Sequence, residues 1–127
     1  MDKKPVDKKG IDRIWAAFIY SLNGLRFAIT NETAFIQEAS IYVVLLVILY
    51  FLPISITFKC ILLLANTIVL IVELLNSAIE SIVDMISPEY NDLAKQAKDL
   101  GSAAVLISIM IAIALWICAI AFMLIDG

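Results

Sequence analysis

The stretch ILLLANTIVLIVELLNSAIESIVDMI, residues 61–86, is apolar along most of its length but carries acidic and amide side chains in its second half. These residues are Glu73, Asn76, Glu80 and Asp84. In a helix of 3.6 residues per turn they fall within one wedge about 80° wide. An ionised carboxylate facing lipid costs at least a few kcal/mol. The pattern therefore predicts that a metal, a substrate or a partner helix contacts this face.

The composition indicates a membrane protein. Of the 127 residues, 63% are hydrophobic and only 17% are charged, more apolar material than a soluble domain of this length could bury. The run from Leu100 to Ile125 has no charged residue and exceeds the roughly 20 residues that cross a bilayer as a helix. We expect an all-α membrane protein, a helical bundle forming one domain over residues 1–127. Its transmembrane helices are predicted at about 33–52, 57–86 and 99–125.

The N-terminal segment predicts an amphipathic helix at about residues 6–30, lying on the inner membrane surface. Its apolar residues are spaced for one helix face: Ile11, Ile14, Trp15, Phe18, Ile19, Leu22 and Leu25. They do not form the short unbroken apolar core of a cleaved signal peptide. The alternative is that the same stripe packs against the transmembrane helices, and both arrangements can hold together.

The distribution of basic residues predicts the orientation. Before the first span lie Lys3, Lys4, Lys8, Lys9, Arg13 and Arg26, and between the second and third spans lie Lys95 and Lys98. Only Lys59 of the 9 basic residues lies in the first loop. The positive-inside rule then puts the N-terminus and the second loop in the cytoplasm and the C-terminus outside.

Several chemistries are excluded by what the chain lacks. It has no histidine, so a Ser-His-Asp triad, a Cys-His pair and a histidine-ligated zinc cannot form within one chain. Cys60 and Cys118 are isolated in apolar surroundings and read as small hydrophobes. The 4 glycines form neither a GxxxxGK[ST] loop nor a GxGxxG motif.

Depth along the second span suggests phosphoryl transfer. Because this helix runs inward, Asp84 lies near the inner interface, Glu80 about 6 Å deeper and Glu73 about 16 Å deeper. Glu80 is placed to hold Mg²⁺, which prefers one or two carboxylates plus phosphate oxygens. Glu73 is better placed as general base for a lipid hydroxyl. Further charged residues at the inner level are Glu32, Lys98 and Asp99. A metal, a phosphate-binding lysine and a buried base are the parts that phosphoryl transfer needs.

The segment VELLNSAIESIVD, followed by SPEYNDLAKQAKDLGSAAVLI, resembles the signature of the small bacterial integral-membrane diacylglycerol kinases. Upstream, YSLNGLRFAITNETAFIQE resembles the same family, so that the match extends from about Gly10 onward. The resemblance implies an N-terminal surface helix, three transmembrane helices and a homotrimer with shared active sites in the bacterial inner membrane. It also implies transfer of the γ-phosphate of MgATP to diacylglycerol, giving phosphatidic acid.

The resemblance implies a role for each matching position. It makes Glu73 the catalytic base with Asn76 beside it, and Glu32 and Glu80 the metal-binding acids, which also belong to the nucleotide site. Further positions that handle ATP are Arg13, Tyr20, Glu89, Lys98 and Asp99. The lipid site would be lined by Ser21, Arg26, Gln37, Glu73, Ser102 and Trp116.

The chain departs from the family pattern at four positions. Ile36 and Met85 stand where relatives have arginine, Asn23 where they have lysine, and Asn91 where they have histidine. We therefore expect no charge-based binding at these four positions, while the acidic residues of the second span are intact.

Other functions fit parts of the pattern. A related group of enzymes phosphorylates undecaprenol, although NETAFIQEAS resembles the diacylglycerol group more. A proton or cation conduit would need polar residues in the outer half of the second span, where only Asn66 and Thr67 interrupt the apolar run. A non-catalytic assembly subunit would not call for charged residues gathered at one membrane level. Individually, Asn76 and Ser77 could be interhelical hydrogen-bond formers, and Trp116 and Tyr42 lipid-facing fillers.

Overall fold

The computed structural model describes residues 9–126, which form four helices and, within that range, no strand. They are α1 (Ile11–Asn31), α2 (Thr33–Phe51), α3 (Ile56–Ile86) and α4 (Asp92–Asp126). The last three are each long and apolar enough to cross a membrane. The predicted all-α class, with an N-terminal helix and three potential spans, is confirmed. Residues 6–8 of the predicted surface helix, and the predicted topology determinants Lys3, Lys4 and Lys8, lie outside the described residues.

Polar side chains cap two of the helices. The Ser55 hydroxyl accepts a hydrogen bond from Phe58 N at 3.3 Å, which satisfies one of the unpaired N–H groups at the start of α3. Asn91 Oδ1 accepts from Leu93 N at 2.9 Å and Ala94 N at 3.3 Å at the start of α4. Because Asn91 caps the helix there, α4 begins at Asp92, earlier than the predicted residue 99, and its polar first turns extend the apolar span.

Small residues bring α4 close to α3. The buried residues of α4 are Gly101, Ser108, Ala112 and Ala119. Small side chains at a helix interface allow the two backbones to approach closely. Because lipid leaves no hydrophobic driving force between helices, the van der Waals packing of this close approach drives their association. Ala119 packs with Leu62 of α3 and Leu49 of α2, and Ala112 packs with Ala65 and Val69 of α3. The three long helices therefore form one bundle with α3 at its centre.

The apolar stripe of α1 faces away from the rest of the chain. Ile11, Ile14 and Trp15 are 84%, 71% and 64% exposed, and Ala28 is the buried residue of this helix. The alternative in which the stripe packs against the spanning helices is thus not realised within the described part of one chain. The exposed stripe is consistent with the predicted position of α1 at the membrane surface.

Candidate active site

Glu73 is the most deeply buried carboxylate of the acidic wedge. Only 4% of it is exposed, and the charges that act on it come from Glu38, Glu80 and Glu32. When ionised, each of these three carboxylates repels an ionised Glu73. Acids from α2, α3 and the junction of α1 with α2 therefore converge on one region of the bundle. Such a group is stable in a membrane only if a cation, a shared proton or a hydrogen-bonding ligand compensates it.

Asn76 lies between this acidic group and α4. Its side chain is buried, and Asn76 Nδ2 donates to Glu80 Oε1 at 3.4 Å, a long hydrogen bond. Asn76 Oδ1 packs against Gly101, where an added Cβ would overlap it. Since an ionised carboxylate only accepts hydrogen bonds, the amide nitrogen must face Glu80. Asn76 thus contacts both the Glu80 carboxylate and Gly101 of α4.

Glu32 belongs to the same region through the backbone between α1 and α2. It is the extended residue between these helices, with φ −98° and ψ 101°, and is half-buried. With Ser21 of α1 and Ser77 of α3, it lines a cavity of about 510 Å³. The predicted metal ligand Glu32 and the predicted lipid-site residue Ser21 therefore open into one space beside α3.

A second cavity, of about 340 Å³, lies at the loop between α3 and α4. Its charged lining residues are Asp84, Glu89, Lys95, Lys98 and Asp99. Lys98 Nζ donates to Asp84 Oδ1, and Lys95 Nζ donates to Asp99 Oδ2, both at 2.5 Å. Lys98 is thus more than a topology determinant, because it joins α4 to α3. These pairs are largely exposed, so each contributes little to stability.

Other predicted site residues are not gathered in the single chain. Five of them have exposed side chains that make no hydrogen bond or ion pair within residues 9–126: Arg13, Tyr20, Arg26, Gln37 and Ser102. Trp116 lies further out along the bundle, where its Nε1 donates to Asn66 Oδ1 at 2.9 Å. The structure therefore brings together the acidic group with Asn76, and separately the loop residues Glu89, Lys98 and Asp99.

The sequence interpretation missed two features of the site. Glu38, on α2, was not among the candidates although an ionisable residue within a span is by default a functional candidate. That rule alone would have found it. Gly101 was not among the candidates either, and the sequence cannot show its contact with Asn76, because that contact depends on how α3 and α4 cross.

The arrangement fits a metal that is bound together with a nucleotide. In residues 9–126, no three acidic or cysteine side chains converge closely enough to hold a metal by themselves. Mg²⁺ does not require such a cage, because it usually takes one or two carboxylates and completes its shell with phosphate oxygens and water. Glu32 and Glu80 are half-buried and lie near other acids, so they are suited to supply those one or two carboxylates.

Comparison with known proteins adds independent information. Residues 19–120 match the family model described as prokaryotic diacylglycerol kinase. The chain is 46% identical over 107 residues to a diacylglycerol kinase of Escherichia coli K12, covering 84% of this chain and 88% of that protein. It is 40% identical over 107 residues to a diacylglycerol kinase of Pseudomonas aeruginosa, covering 84% and 87%. A diacylglycerol kinase of Helicobacter pylori is 36% identical over 112 residues, covering 88% of each chain.

Proposed function

The chain belongs to the prokaryotic diacylglycerol kinase family and is a membrane-embedded lipid kinase of that family, and on this premise we propose its substrates and mechanism. It transfers the γ-phosphoryl group of ATP to the free hydroxyl of diacylglycerol, giving phosphatidic acid and ADP.

The observation that carries this proposal is the burial of Glu73 beside other acids. Its carboxylate is 4% exposed inside a helix able to span the membrane, and it lies next to Asn76 and Glu80 on the same helix face. A structural role would call for a basic partner, whereas the charged side chains that influence Glu73 within residues 9–126 are Glu38, Glu80 and Glu32, all acidic. A buried base near a metal-binding acid is what an alcohol needs in order to attack a phosphorus atom.

Glu73 serves as the general base. The lipid hydroxyl gives its proton to the Glu73 carboxylate while its oxygen forms a new bond to the γ-phosphorus. The bond between that phosphorus and the oxygen that bridges it to the β-phosphate breaks, and the electron pair leaves with ADP. Because the transition state gains little from covalent chemistry, positioning and charge compensation provide most of the acceleration.

The nucleotide is held at the loop end of α3 and α4. Lys98 donates to phosphate oxygens as a compact cation, and Glu89 and Asp99 line the same cavity. Glu32 and Glu80 would hold the metal, and the Asn76 amide donates to the Glu80 carboxylate. Mg²⁺ bound with ATP would neutralise charge on the phosphate oxygens. Arg13 and Tyr20 contact the same nucleotide from α1.

The functional unit is a homotrimer with shared active sites, in the inner membrane, with the N-terminus in the cytoplasm. Support for assembly comes from Glu32 and Glu80, which remain half-exposed in one chain although they sit in or beside apolar helices. Arg13 and Tyr20, which have no partners within residues 9–126 of one chain, join the nucleotide site in the assembly. The distribution of basic residues supports the orientation.

The activity is tested with purified protein in lipid or detergent, supplied with MgATP and short-chain diacylglycerol. We expect formation of phosphatidic acid, and a loss of kcat of about 10²- to 10⁴-fold in Glu73→Gln, the range typical of a lost general base. Glu73→Gln should keep the wild-type affinity for ATP, because the residue does not contact the nucleotide. Equal turnover by wild type and Glu73→Gln would remove Glu73 from the mechanism.

The lipid is tested separately by comparing kcat/KM for diacylglycerol, ceramide and undecaprenol. We expect diacylglycerol to be preferred. A preference for undecaprenol would keep the phosphoryl transfer but assign the chain to the polyprenol group of enzymes. If a folded preparation phosphorylates none of the three, the proposed reaction is wrong.

A further inference from the structure

Asn66 is a buried amide in the outer half of α3 that the reaction does not use. It is 5% exposed, and it lines a groove of about 390 Å³ between α2, α3 and α4. The groove is apolar apart from a few residues: Glu38 and Tyr42 of α2, Asn66, and Trp116 of α4. It therefore has the character of a channel for a hydrocarbon chain with one or two fixed polar contacts.

The atom of the Asn66 amide that has no hydrogen-bond partner among the described residues is its nitrogen. Trp116 Nε1 can only donate, and its 2.9 Å hydrogen bond must therefore end on Asn66 Oδ1. Asn66 Nδ2 is then left without an acceptor among the described residues. A buried donor with no partner costs about 1–3 kcal/mol by mutational measures. The oxygen that it bonds to must therefore come from outside residues 9–126 of this chain.

Water is a poor candidate for that oxygen. A buried water needs two to four polar partners. At this level Trp116 Nε1 already bonds to Asn66, and Tyr42 OH donates its proton to Thr67 Oγ1 at 3.0 Å, so a water at Asn66 Nδ2 would have only the Tyr42 oxygen as a further partner among these groups. An acceptor carried by a hydrocarbon-chain ligand fits the groove better, since the rest of its wall is apolar.

The position of Asn66 relative to Glu73 defines that ligand. The two residues are seven positions apart on α3, about 10 Å along the axis and roughly 20° apart around it. A ligand that lies between the two side chains and bonds to each at about 2.8 Å has its two oxygens roughly 5 Å apart. The distance from the free hydroxyl oxygen of an acylglycerol to the carbonyl oxygen of a neighbouring ester is of this size. A polyisoprenol has no second oxygen to place there.

We infer that Asn66 Nδ2 donates a hydrogen bond to an ester carbonyl oxygen of the lipid whose free hydroxyl lies at Glu73, and so selects acylglycerols over lipid alcohols without an ester. This inference rests on the proposed function and adds a specificity-determining residue to it. The groove between α2, α3 and α4 holds the acyl chain that follows the ester. The Trp116 indole acts as a positioning group, because its hydrogen bond keeps the amide nitrogen turned towards the ligand.

The first test compares two lipids in the wild-type protein. Dioctanoylglycerol and the dioctyl glycerol ether have the same free hydroxyl and nearly the same shape, but only the former has ester carbonyls. We expect kcat/KM to be about tenfold higher for the ester, as the loss of one buried hydrogen bond predicts. Equal values for both lipids overturn the inference while leaving the kinase activity in place. Failure to phosphorylate either lipid counts against the proposed function instead.

The second test removes the donor. Asn66→Leu keeps the branched shape of the side chain but removes its polar atoms, and we expect the ratio of kcat/KM between ester and ether to fall to about one. Thr67→Val is the matched control, because it removes a neighbouring polar group from the same helix and should leave the ratio at its wild-type value. Trp116→Phe keeps Asn66 Nδ2 but removes the hydrogen bond that orients the amide, so the ratio should fall below the wild-type value without reaching one; an unchanged ratio would show that Trp116 does not position the amide.

The remaining outcomes are decisive as well. If Asn66→Leu slows both lipids equally and the ratio stays at its wild-type value, Asn66 acts only on structure and the inference is wrong. If instead the variant changes the subunit number at an unchanged ratio, the amide bonds to another copy of the chain. If Asn66→Leu does not fold, Asn66→Val makes the same test with a smaller apolar side chain, and a wild-type ratio in that variant equally overturns the inference.

Discussion

Gly101 of α4 lies directly against the side-chain amide of Asn76 on α3, and there is no room between them for a Cβ atom. The same amide donates to Glu80 at 3.4 Å. The absence of a side chain at one residue of α4 therefore controls the position of a carboxylate on α3. This relationship connects the packing of the bundle to the proposed chemistry.

Gly101→Ala should therefore disturb the site more than the fold. We expect kcat to fall at least about tenfold and the free energy of unfolding to fall by about 1–3 kcal/mol, as in overpacked interiors. Thermal unfolding and lipid kinase assays measure the two effects. Gly24→Ala is the stability control, because no atom lies within 4 Å of a Cβ added there. We expect its Tm to stay the same or rise, since alanine is the better helix former. Wild-type kcat in Gly101→Ala would show that the position of Asn76 does not matter.

The hydrogen bond between Lys98 and Asp84 predicts an effect on nucleotide binding. Asp84→Asn should raise the KM for ATP about three- to tenfold, because Lys98 loses the partner that holds it at the loop cavity. The Tm should change little, since the pair is 41% and 63% exposed and such pairs contribute at most about 1 kcal/mol.

Asp92→Asn is the matched control for Asp84→Asn. Asp92 is an exposed carboxylate in the same segment, and its side chain accepts a hydrogen bond from Tyr90 OH. We expect the KM for ATP to stay at its wild-type value. Equal increases in the two variants would mean that the net charge of the loop, and no particular ion pair, governs ATP binding.

Glu80→Gln tests the metal site. The side-chain amide keeps the shape of the carboxylate and an oxygen that Asn76 Nδ2 can reach, but it loses the charge. We expect the Mg²⁺ concentration for half-maximal activity to rise at least tenfold, because hard cations bind neutral amide oxygens less strongly than carboxylates. A titration of kcat against Mg²⁺ at saturating ATP measures this. An unchanged midpoint with a lower plateau would indicate that Glu80 acts without contacting the metal.

Ala119→Leu tests the packing between the helices. Ala119 is 1% exposed and contacts Leu49 and Leu62, so a larger side chain should force α4 away from α3 and lower the free energy of unfolding by about 1–3 kcal/mol. Ala121→Leu adds the same volume on the exposed side of α4 and should leave the Tm nearly unchanged. Similar decreases of Tm in both variants would contradict the finding that Ala119, and not Ala121, faces the other helices.

Cysteine labelling tests the orientation. In a background with Cys60→Ala and Cys118→Ala, we expect Ser55→Cys, in the exposed loop between α2 and α3, to react with a membrane-impermeant maleimide in intact cells. Tyr90→Cys, in the exposed loop between α3 and α4, should react only after the inner membrane is permeabilised. The reverse pattern would place the N-terminus and the nucleotide site outside the cytoplasm.

The sequence by itself determined the helical class and the acidic face of α3. An apolar run long enough to cross a bilayer as a helix can be recognised without knowing any tertiary contact. Glu73, Asn76 and Glu80 share a face because helical periodicity is local. The start of α4 was missed by several residues because the cap at Asn91 lies in a polar segment that hydropathy does not assign to a span.

Only the tertiary structure decided which residues from different helices meet. The repulsion of Glu73 by Glu38, the contact of Gly101 with Asn76 and the hydrogen bond of Trp116 to Asn66 each join separate helices. Such contacts depend on the crossing angle and the axial offset of the helices, which arise from small-residue packing along the entire interface. Helical periodicity specifies the face on which a side chain lies, but the partner that this face meets is specified only when the helices are packed.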